Sequence, residues 1–178
     1  MSDPLYASPR GLISYQMDGI EQWARMHGLL CTWEPGTGKS HLALAGSALL
    51  HESGLAEYAI IVCESNKLDE WLIDFGIFTG LKAVVYKGTP AKRQKIRESL
   101  LEPDGPRVLI TTYETSRNDL GGFVNEKPPG AKRAKKVFRT GPLHDTFVEL
   151  AVRAGLAIFY DESTKLGNRY QPGGPRGG

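Results

Sequence analysis

The residues best suited to chemistry lie in a glycine-rich segment, 34–40, between an apolar run at 29–33 and a helical pattern that begins at Lys39. Gly36 and Gly38 allow the backbone to point successive N–H groups at one anion, and the helix N-terminus adds partial positive charge. Lys39 is placed to reach the β- and γ-phosphates of a nucleotide, and the Ser40 hydroxyl to bind Mg²⁺. Trp33 stands where the full phosphate-loop pattern has glycine, so a plain glycine-rich helix start with a surface lysine is the alternative. The predicted nucleotide-binding residues are Pro35, Gly36, Thr37, Gly38, Lys39 and Ser40.

A second candidate site is the acidic pair Asp161-Glu162, which directly follows the apolar run 156–160. Ligands of open α/β sheets bind at the carboxyl ends of the strands, which is where this pair would lie. Asp161 is predicted to hold Mg²⁺ and Glu162 to polarise the water that attacks the nucleotide. The alternative is an ordinary loop start or helix cap.

Short apolar runs and helical patterns alternate along the chain and would position these residues. The periodicity predicts helices over 15–27, 39–53, 67–78, 90–101 and 144–153, and strands over 29–33, 58–63, 83–86, 108–112 and 156–160. Strands without polar alternation are buried on both faces. The pattern therefore predicts an α/β fold with a mostly parallel central sheet and helices on both faces.

Length and composition set the domain organisation. The chain has 178 residues, 40% of them hydrophobic and 24% charged, which suits one globular domain. We expect that domain over 1–166, with a loop at 125–141 inserted in it and a Gly/Pro-rich tail without packed structure over 167–178. The sequence shows no membrane-spanning run, no signal peptide and only Cys31 and Cys63, so a secreted or disulfide-built protein is excluded and a cytoplasmic one, with buried reduced thiols, is expected.

The charge is distributed unevenly. Residues 1–126 carry 12 Lys and Arg against 16 Asp and Glu, whereas residues 127–178 carry 10 against 4. Six basic residues fall between Glu126 and Asp145 without an acid, and Pro and Gly among them favour a flexible loop: Lys127, Lys132, Arg133, Lys135, Lys136 and Arg139. This loop either contacts a nucleic-acid backbone or is a solvated surface loop. Phe138 is the one aromatic residue within it, so base stacking is not predicted.

Four segments in order resemble the motifs of superfamily 2 helicases, especially their chromatin-remodeller-like branch. They are LISYQMDGI at 12–20, IVCE at 61–64 with Trp71 after it, VLITTYET at 108–115 and DESTKLGN at 161–168. With Ser163 after the acidic pair, this motif resembles that of helicases encoded by phages. The resemblance implies a bacterial or phage-infected cell. Gly167 stands where the family has lysine. The resemblance covers about residues 10–168 and implies the N-terminal RecA-like lobe of a two-lobe motor.

The resemblance also implies roles for individual residues. Gln16 would hydrogen-bond adenine and so favour ATP, the alternative being a polar residue at an exposed helix start. Contacts with a nucleic-acid backbone are implied for Ser65, Asn66, Lys67, Thr112 and Tyr113, together with Lys132, Arg133, Lys135 and Lys136 of the basic segment. From the residues alone, Asn66 could equally cap a helix and Thr112 could be an ordinary strand residue.

The function expected from these features is an ATP- and Mg²⁺-binding lobe of a nucleic-acid-dependent ATPase that contacts a DNA or RNA backbone, with double-stranded DNA as the favoured partner. The second lobe and its arginine fingers do not follow the acidic pair, so slow hydrolysis in isolation is expected, and a partner lobe or self-association could complete the site. A nucleotide-binding interaction module without motor function is the alternative. A small phosphate-loop kinase is a weaker third interpretation.

Overall fold

The computed structural model describes residues 6, 11–26, 36–127, 129–130 and 133–161. The predicted strand at 29–33, Cys31, Pro35, Lys132, Glu162 and the tail 167–178 lie outside these ranges. Along the chain the elements are α1 (Ser14–Met26), α2 (Lys39–Glu52), β1 (Tyr58–Cys63), a 3-10 turn (Ser65–Lys67), α3 (Leu68–Phe78), β2 (Ala83–Val85), α4 (Pro90–Leu100), β3 (Val108–Thr112), α5 (Tyr113–Leu120), β4 (Gly121–Glu126), β5 (Lys135–Thr140), α6 (Pro142–Ala154) and β6 (Leu156–Tyr160).

Four strands form a parallel sheet in the order β2-β3-β1-β6. Ile60 of β1 lies opposite Leu109 of β3 on one side and Ile158 of β6 on the other. Every residue of β1 is buried, because the strand is paired on both edges and covered on both faces. The expected α/β fold with a parallel central sheet is confirmed.

Alternate residues of the central strands enter two separate helix layers. Ile61 and Cys63 face a core with side chains of α2 and α3, including Leu44 and Phe75. The alternate residues of β1, Ile60 and Val62, face a second core on the other side of the sheet. This core is filled by α4 and α6 and includes Ile96, Leu143 and Leu150. Truncating a fully buried aliphatic side chain in such a core costs about 2–5 kcal/mol, so these layers fix the strand ends firmly. α1 packs outside α2 through Ile20, Leu42 and Ala45.

A buried charged cluster ties the second layer together around Asp119. Its carboxylate accepts hydrogen bonds from the Tyr86 hydroxyl at 2.7 Å and from the Arg93 Nε at 2.7 Å. Arg97 donates to the same Tyr86 oxygen at 2.7 Å. Burial, followed by the hydrogen bond to Asp119, raises the pKa of Tyr86. The cluster therefore links the residue after β2 to α4 and to the end of α5.

The prediction of a loop over 125–141 is wrong for residues 125–126 and 135–140. β4 and β5 form an antiparallel hairpin in which Phe123 lies opposite Phe138 and Val124 opposite Val137. Apolar residues at these paired positions supply the cross-strand contacts that stabilise a ribbon, and the six basic residues masked that signal in the sequence. The adjoining helix α5 was not predicted either. Among the described residues, no helix is long and apolar enough to cross a membrane.

Candidate nucleotide-binding site

The glycine-rich segment turns immediately before α2. Gly36 and Gly38 have φ values of 82° and 80°, in the left-handed region that glycine adopts without strain. Gly38 is the N-cap of α2 and supplies no side-chain cap, and Lys39 and Ser40 are the first two helical residues. The first N–H groups of a helix have no partner within it. This helix start therefore has the geometry that binds phosphate.

Helix α1 holds the segment from one side through two side chains. Tyr15 donates its hydroxyl to the Thr37 carbonyl at 2.8 Å. Gln16 donates from Nε2 to the Gly38 carbonyl at 3.3 Å and accepts at Oε1 from the Ile13 N–H at 3.1 Å. A Cβ on Gly38 would lie 2.5 Å from the Gln16 amide nitrogen, so a larger residue there would displace that amide as well as adopt a φ of 80°.

The burial of Gln16 excludes one of its two interpretations, the exposed polar residue, and leaves the adenine contact open. Gln16 is only 5% exposed, so it is not a polar residue on an exposed helix start. Each amide atom makes one of the two hydrogen bonds available to it, which leaves one donor and one acceptor for a ligand. The adenine contact stays a prediction that this geometry permits.

Asp161 stands at the end of β6, at the carboxyl edge of the sheet. Its N–H donates to the Val62 carbonyl at 2.9 Å, which extends the parallel ladder by one residue. The Trp71 indole N–H donates to Oδ2 at 3.1 Å, and the Tyr113 hydroxyl donates to the Asp161 carbonyl. Three elements, β1, α3 and α5, therefore fix the position of this carboxylate.

The helical spacing of Trp71 and Phe75 predicts that both side chains lie in the core, and this prediction misses the contact of Trp71 with Asp161. Its side chain is indeed buried beside Phe75, at a ring-centroid distance of 6.1 Å. A buried indole N–H almost always has a hydrogen-bond partner, and that requirement was the available signal. The predicted core position is confirmed, and the polar end of the ring serves the candidate site.

Cys63 lies beneath the same edge and is fully buried, as expected. Burial, then the negative charges of Asp161 and Glu70, raise its pKa from 9.0 to about 12. The thiol is therefore neutral at physiological pH and is not a nucleophile. Within the described ranges, no group of three or more His, Cys, Asp or Glu side chains is arranged to hold a metal ion.

The backbone-contact candidates after β1 form a short turn at this edge. Ser65 and Asn66 are exposed, and Lys67 pairs with Glu70 at 2.7 Å. Asn66 does not cap the following helix, because the N-cap of α3 is Lys67 and no side chain caps it. The exposed hydroxyl and amide therefore face solvent beside the strand ends.

The candidates after β3 are partly engaged within the protein. Thr112 ends β3 and caps α5, with Oγ1 accepting from the Thr115 N–H at 3.0 Å, so it is more than an ordinary strand residue. Tyr113 turns its hydroxyl to Asp161. Arg133, Lys135 and Lys136 are exposed on the hairpin, a different element. The structure thus divides the nucleic-acid candidates between the sheet edge and the hairpin.

Comparison with known proteins finds that this chain is similar in sequence to ATP-dependent helicases. The chain is 34% identical over 123 residues to the ATP-dependent helicase fft1 of Schizosaccharomyces pombe, a match that covers 64% of this chain and 13% of that protein. It is 29% identical over 116 residues to the human lymphoid-specific helicase, covering 59% of this chain and 14% of that protein. The chain has homologues among SNF2-family ATPases. No protein-family model matches it.

The fold agrees with that homology. The SWI2/SNF2 ATPase core of Sulfolobus solfataricus, solved in complex with double-stranded DNA, superposes with a TM-score of 0.52 at 17% identity and covers 66% of this chain and 25% of that chain. The α/β arrangement matches the RecA-like lobe of the SWI2/SNF2 core. The chain spans only about an eighth of the first relative's length. The expected phage or bacterial affiliation is not supported, since the two sequence relatives named above come from a yeast and from human.

Proposed function

We infer that this chain is the nucleotide-binding lobe of a nucleic-acid-dependent ATPase of the SWI2/SNF2 type. One observation carries the inference: two left-handed glycines, Gly36 and Gly38, lie at the start of α2, and the buried amide of Gln16 donates to the Gly38 carbonyl, in a lobe with SNF2-family homologues. That geometry supports recognition of phosphates by the helix start and of adenine by the remaining donor and acceptor of Gln16.

The donor set fits a nucleotide with Mg²⁺. Ser40 offers a hydroxyl from the first turn of α2, and Asp161 offers a carboxylate oriented by Trp71. The ion would neutralise charge on the β- and γ-phosphates. Lys39 begins the same helix and would contact the phosphates, as would Gly36 and Thr37 of the turn before it, and Pro35 precedes them in the sequence. Glu162, next to Asp161 in the sequence, is proposed to accept a proton from the attacking water.

Nucleic acid is proposed to contact the carboxyl edge and the hairpin. The exposed Ser65 and Asn66 offer hydrogen-bond donors to phosphate oxygens, and Lys67, Thr112 and Tyr113 lie beside them at the strand ends. The hairpin adds Arg133, Lys135 and Lys136, with Lys132 in the same segment of the sequence. We favour double-stranded DNA, the ligand present in the S. solfataricus complex.

Hydrolysis by the isolated chain is proposed to be slow. Arginine fingers accelerate related nucleotide hydrolases by about 10³–10⁵-fold, and the lobe described here supplies one side of such a site. A second RecA-like lobe or another copy of the chain is proposed to supply the arginine finger.

The test measures Mg-ATP binding by calorimetry and hydrolysis with and without a 40-base-pair duplex. Lys39→Ala should abolish nucleotide binding, and Glu162→Gln should retain binding but lose turnover. Lys87→Ala, which removes an exposed lysine far from α2 in the sequence, is the control and should behave like the native chain. Absence of Mg-ATP binding by the native chain would contradict the proposal. Binding with no DNA effect on turnover or affinity would favour the non-motor module instead.

A further inference from the structure

The β4–β5 hairpin displays an aromatic pair to solvent. Phe123 and Phe138 lie directly opposite each other, with ring centroids 5.4 Å apart in an edge-to-face arrangement. Phe123 is 67% exposed and Phe138 52% exposed, although large aromatic side chains contribute most when they are buried. The two rings contact each other and are otherwise open to solvent. Exposed apolar surface of this kind marks a binding site.

Polar groups that suit nucleic acid stand on the same face of the ribbon. Residues directly opposite in an antiparallel pair share a face, as do alternate residues along a strand, so Asn125 and Lys136 lie on the face of Phe123 and Phe138. The Lys136 ammonium is 5.9 Å from the centroid of the Phe123 ring. The face therefore combines two rings, an amide and a cation.

The opposite face of the hairpin has a different character. Val124 pairs with Val137, and Glu126 lies opposite Lys135 and bonds to Arg139 at 2.7 Å. Its single acidic group is thus neutralised within the hairpin. The cations of the aromatic face and of the turn, Lys136 and Arg133 among them, give the element a net positive charge that favours a polyanion over an apolar protein surface.

We propose that the aromatic face of this hairpin binds unpaired bases of a nucleic-acid strand by stacking on Phe123 and Phe138. Lys136 and Asn125 contact the adjoining phosphates and base edges. The inference rests on the proposed nucleic-acid function and adds a contact that base-paired DNA cannot make, because its bases are already stacked on each other. Stacking is tolerant of sequence, since every base has an aromatic face.

The experiment compares three ligands that separate bases from phosphates: a fluorescent dT20 strand, an abasic strand of the same length, and a blunt 20-base-pair duplex. Their dissociation constants are measured by anisotropy at fixed salt, with rU20 as an RNA counterpart to dT20. The native chain should bind dT20 about tenfold or more tightly than the abasic strand, which corresponds to the low end of the known effect of stacking one base on a ring.

Variants of the two rings assign that preference. Phe123→Leu and Phe138→Leu keep apolar, cross-strand contacts but remove the rings, and each should weaken dT20 binding about tenfold while duplex binding changes less than twofold. Phe123→Tyr keeps a ring and should retain dT20 affinity. Val124→Ala, on the other face, is the matched control and should bind all ligands like the native chain. Circular dichroism and thermal unfolding verify that each variant is folded.

Equal binding of dT20 and the abasic strand by the native chain would overturn the inference, as would full dT20 affinity in both leucine variants. In either case retained duplex binding would leave the proposed function standing. If the native chain binds neither the duplex nor the single strand, both the stacking inference and the proposed nucleic-acid function are overturned. If Val124→Ala weakens dT20 binding as much as Phe123→Leu does, the effect belongs to hairpin stability and the stacking inference fails.

Discussion

At the scale of single residues, the candidate site depends on side chains that sequence patterns assign to other tasks. Trp71 fills the core and also donates to the Asp161 carboxylate at 3.1 Å. Tyr113 starts a helix and donates to the Asp161 backbone. An aspartate that is held by both its side chain and its backbone is oriented before any ligand arrives, which is how a binding carboxylate is preorganised.

Trp71→Phe tests this orientation. The ring stays in the core, but Asp161 loses its indole donor, and a hydrogen bond to a charged group contributes about 1.5–3 kcal/mol. We expect the Mg²⁺ concentration for half-maximal nucleotide binding to rise about tenfold, measured by calorimetry at fixed ATP. Trp23→Phe is the matched control, because that indole packs edge to face on Phe159 and is not the one that donates to Asp161. An unchanged Mg²⁺ dependence in Trp71→Phe would contradict the assignment.

Cys63 gives a pH-dependent prediction. Its thiol keeps a proton up to about pH 12 in the native protein, whereas the unfolded chain loses it near the ordinary pKa of 9.0. The unfolded state therefore binds fewer protons between these values, and the free energy of unfolding falls as pH rises above 9. In a Cys31→Ser background, Cys63→Ala should remove part of that fall in urea titrations from pH 8 to 10.5. The same slope in both proteins would refute it.

At the scale of elements, the sequence predicted the described strands of the parallel sheet and the long helices well, and the predicted strand at 29–33 lies outside the described residues. The strands at 58–63, 108–112 and 156–160 match the structure, because each is a compact apolar run bounded by polar or turn-forming residues. α5 was missed because its eight residues are mostly polar and show little periodicity. The hairpin was missed because Phe123 and Phe138, fifteen positions apart, become neighbours only through strand pairing.

Gly36 and Gly38, at the start of α2, allow a test of the contact between Gln16 and the glycine-rich segment. Gly36→Ala and Gly38→Ala both place alanine in the left-handed region, which costs about 1–2 kcal/mol. Only Gly38→Ala also drives a methyl group into the Gln16 amide, since nothing lies within 4 Å of a Cβ at Gly36. We expect Gly38→Ala to lower the melting temperature and the Mg-ATP affinity more than Gly36→Ala does.

Adding Gln16→Ala to Gly38→Ala provides the control for that comparison. Because the smaller side chain leaves room for the methyl group, the double variant should recover part of the lost melting temperature. Two alanine variants with equal stability, or no recovery in the double variant, would show that the Gln16 contact does not constrain the segment.

At the scale of the whole molecule, charge is separated along the chain. Residues 1–126 are acidic on balance and residues 127–178 basic, and the hairpin carries much of the basic excess. Binding of a polyanion at the hairpin releases counterions, so affinity falls steeply with salt. The sequence supported this expectation from charge alone, but only the structure shows that the cations stand on a defined ribbon.

Lys135→Gln with Lys136→Gln should lower the slope of log affinity against log salt by about 1 for each lysine, measured with a duplex from 50 to 200 mM salt. Lys92→Gln with Lys95→Gln is the matched control: it removes the same charge from exposed positions on α4. Equal slopes in the two double variants would mean that overall charge, and not the hairpin, sets the salt dependence.

At the base of the hairpin, where β4 begins and β5 ends, Gly121 and Gly141 lie too close to neighbouring backbone atoms for a larger residue. A Cβ on Gly121 would lie 2.3 Å from the Arg139 carbonyl, and one on Gly141 would lie 2.1 Å from the carbonyl of Asp119, the residue clamped by Tyr86 and Arg93. α5 runs from this base to Tyr113, a length of about 12 Å for eight residues. Helix α5 therefore has the hairpin at its C-terminal end and, at its N-terminal end, the hydrogen bond from Tyr113 to the Asp161 carbonyl. Displacement of the hairpin by a bound strand would therefore act through α5 on the backbone carbonyl of Asp161.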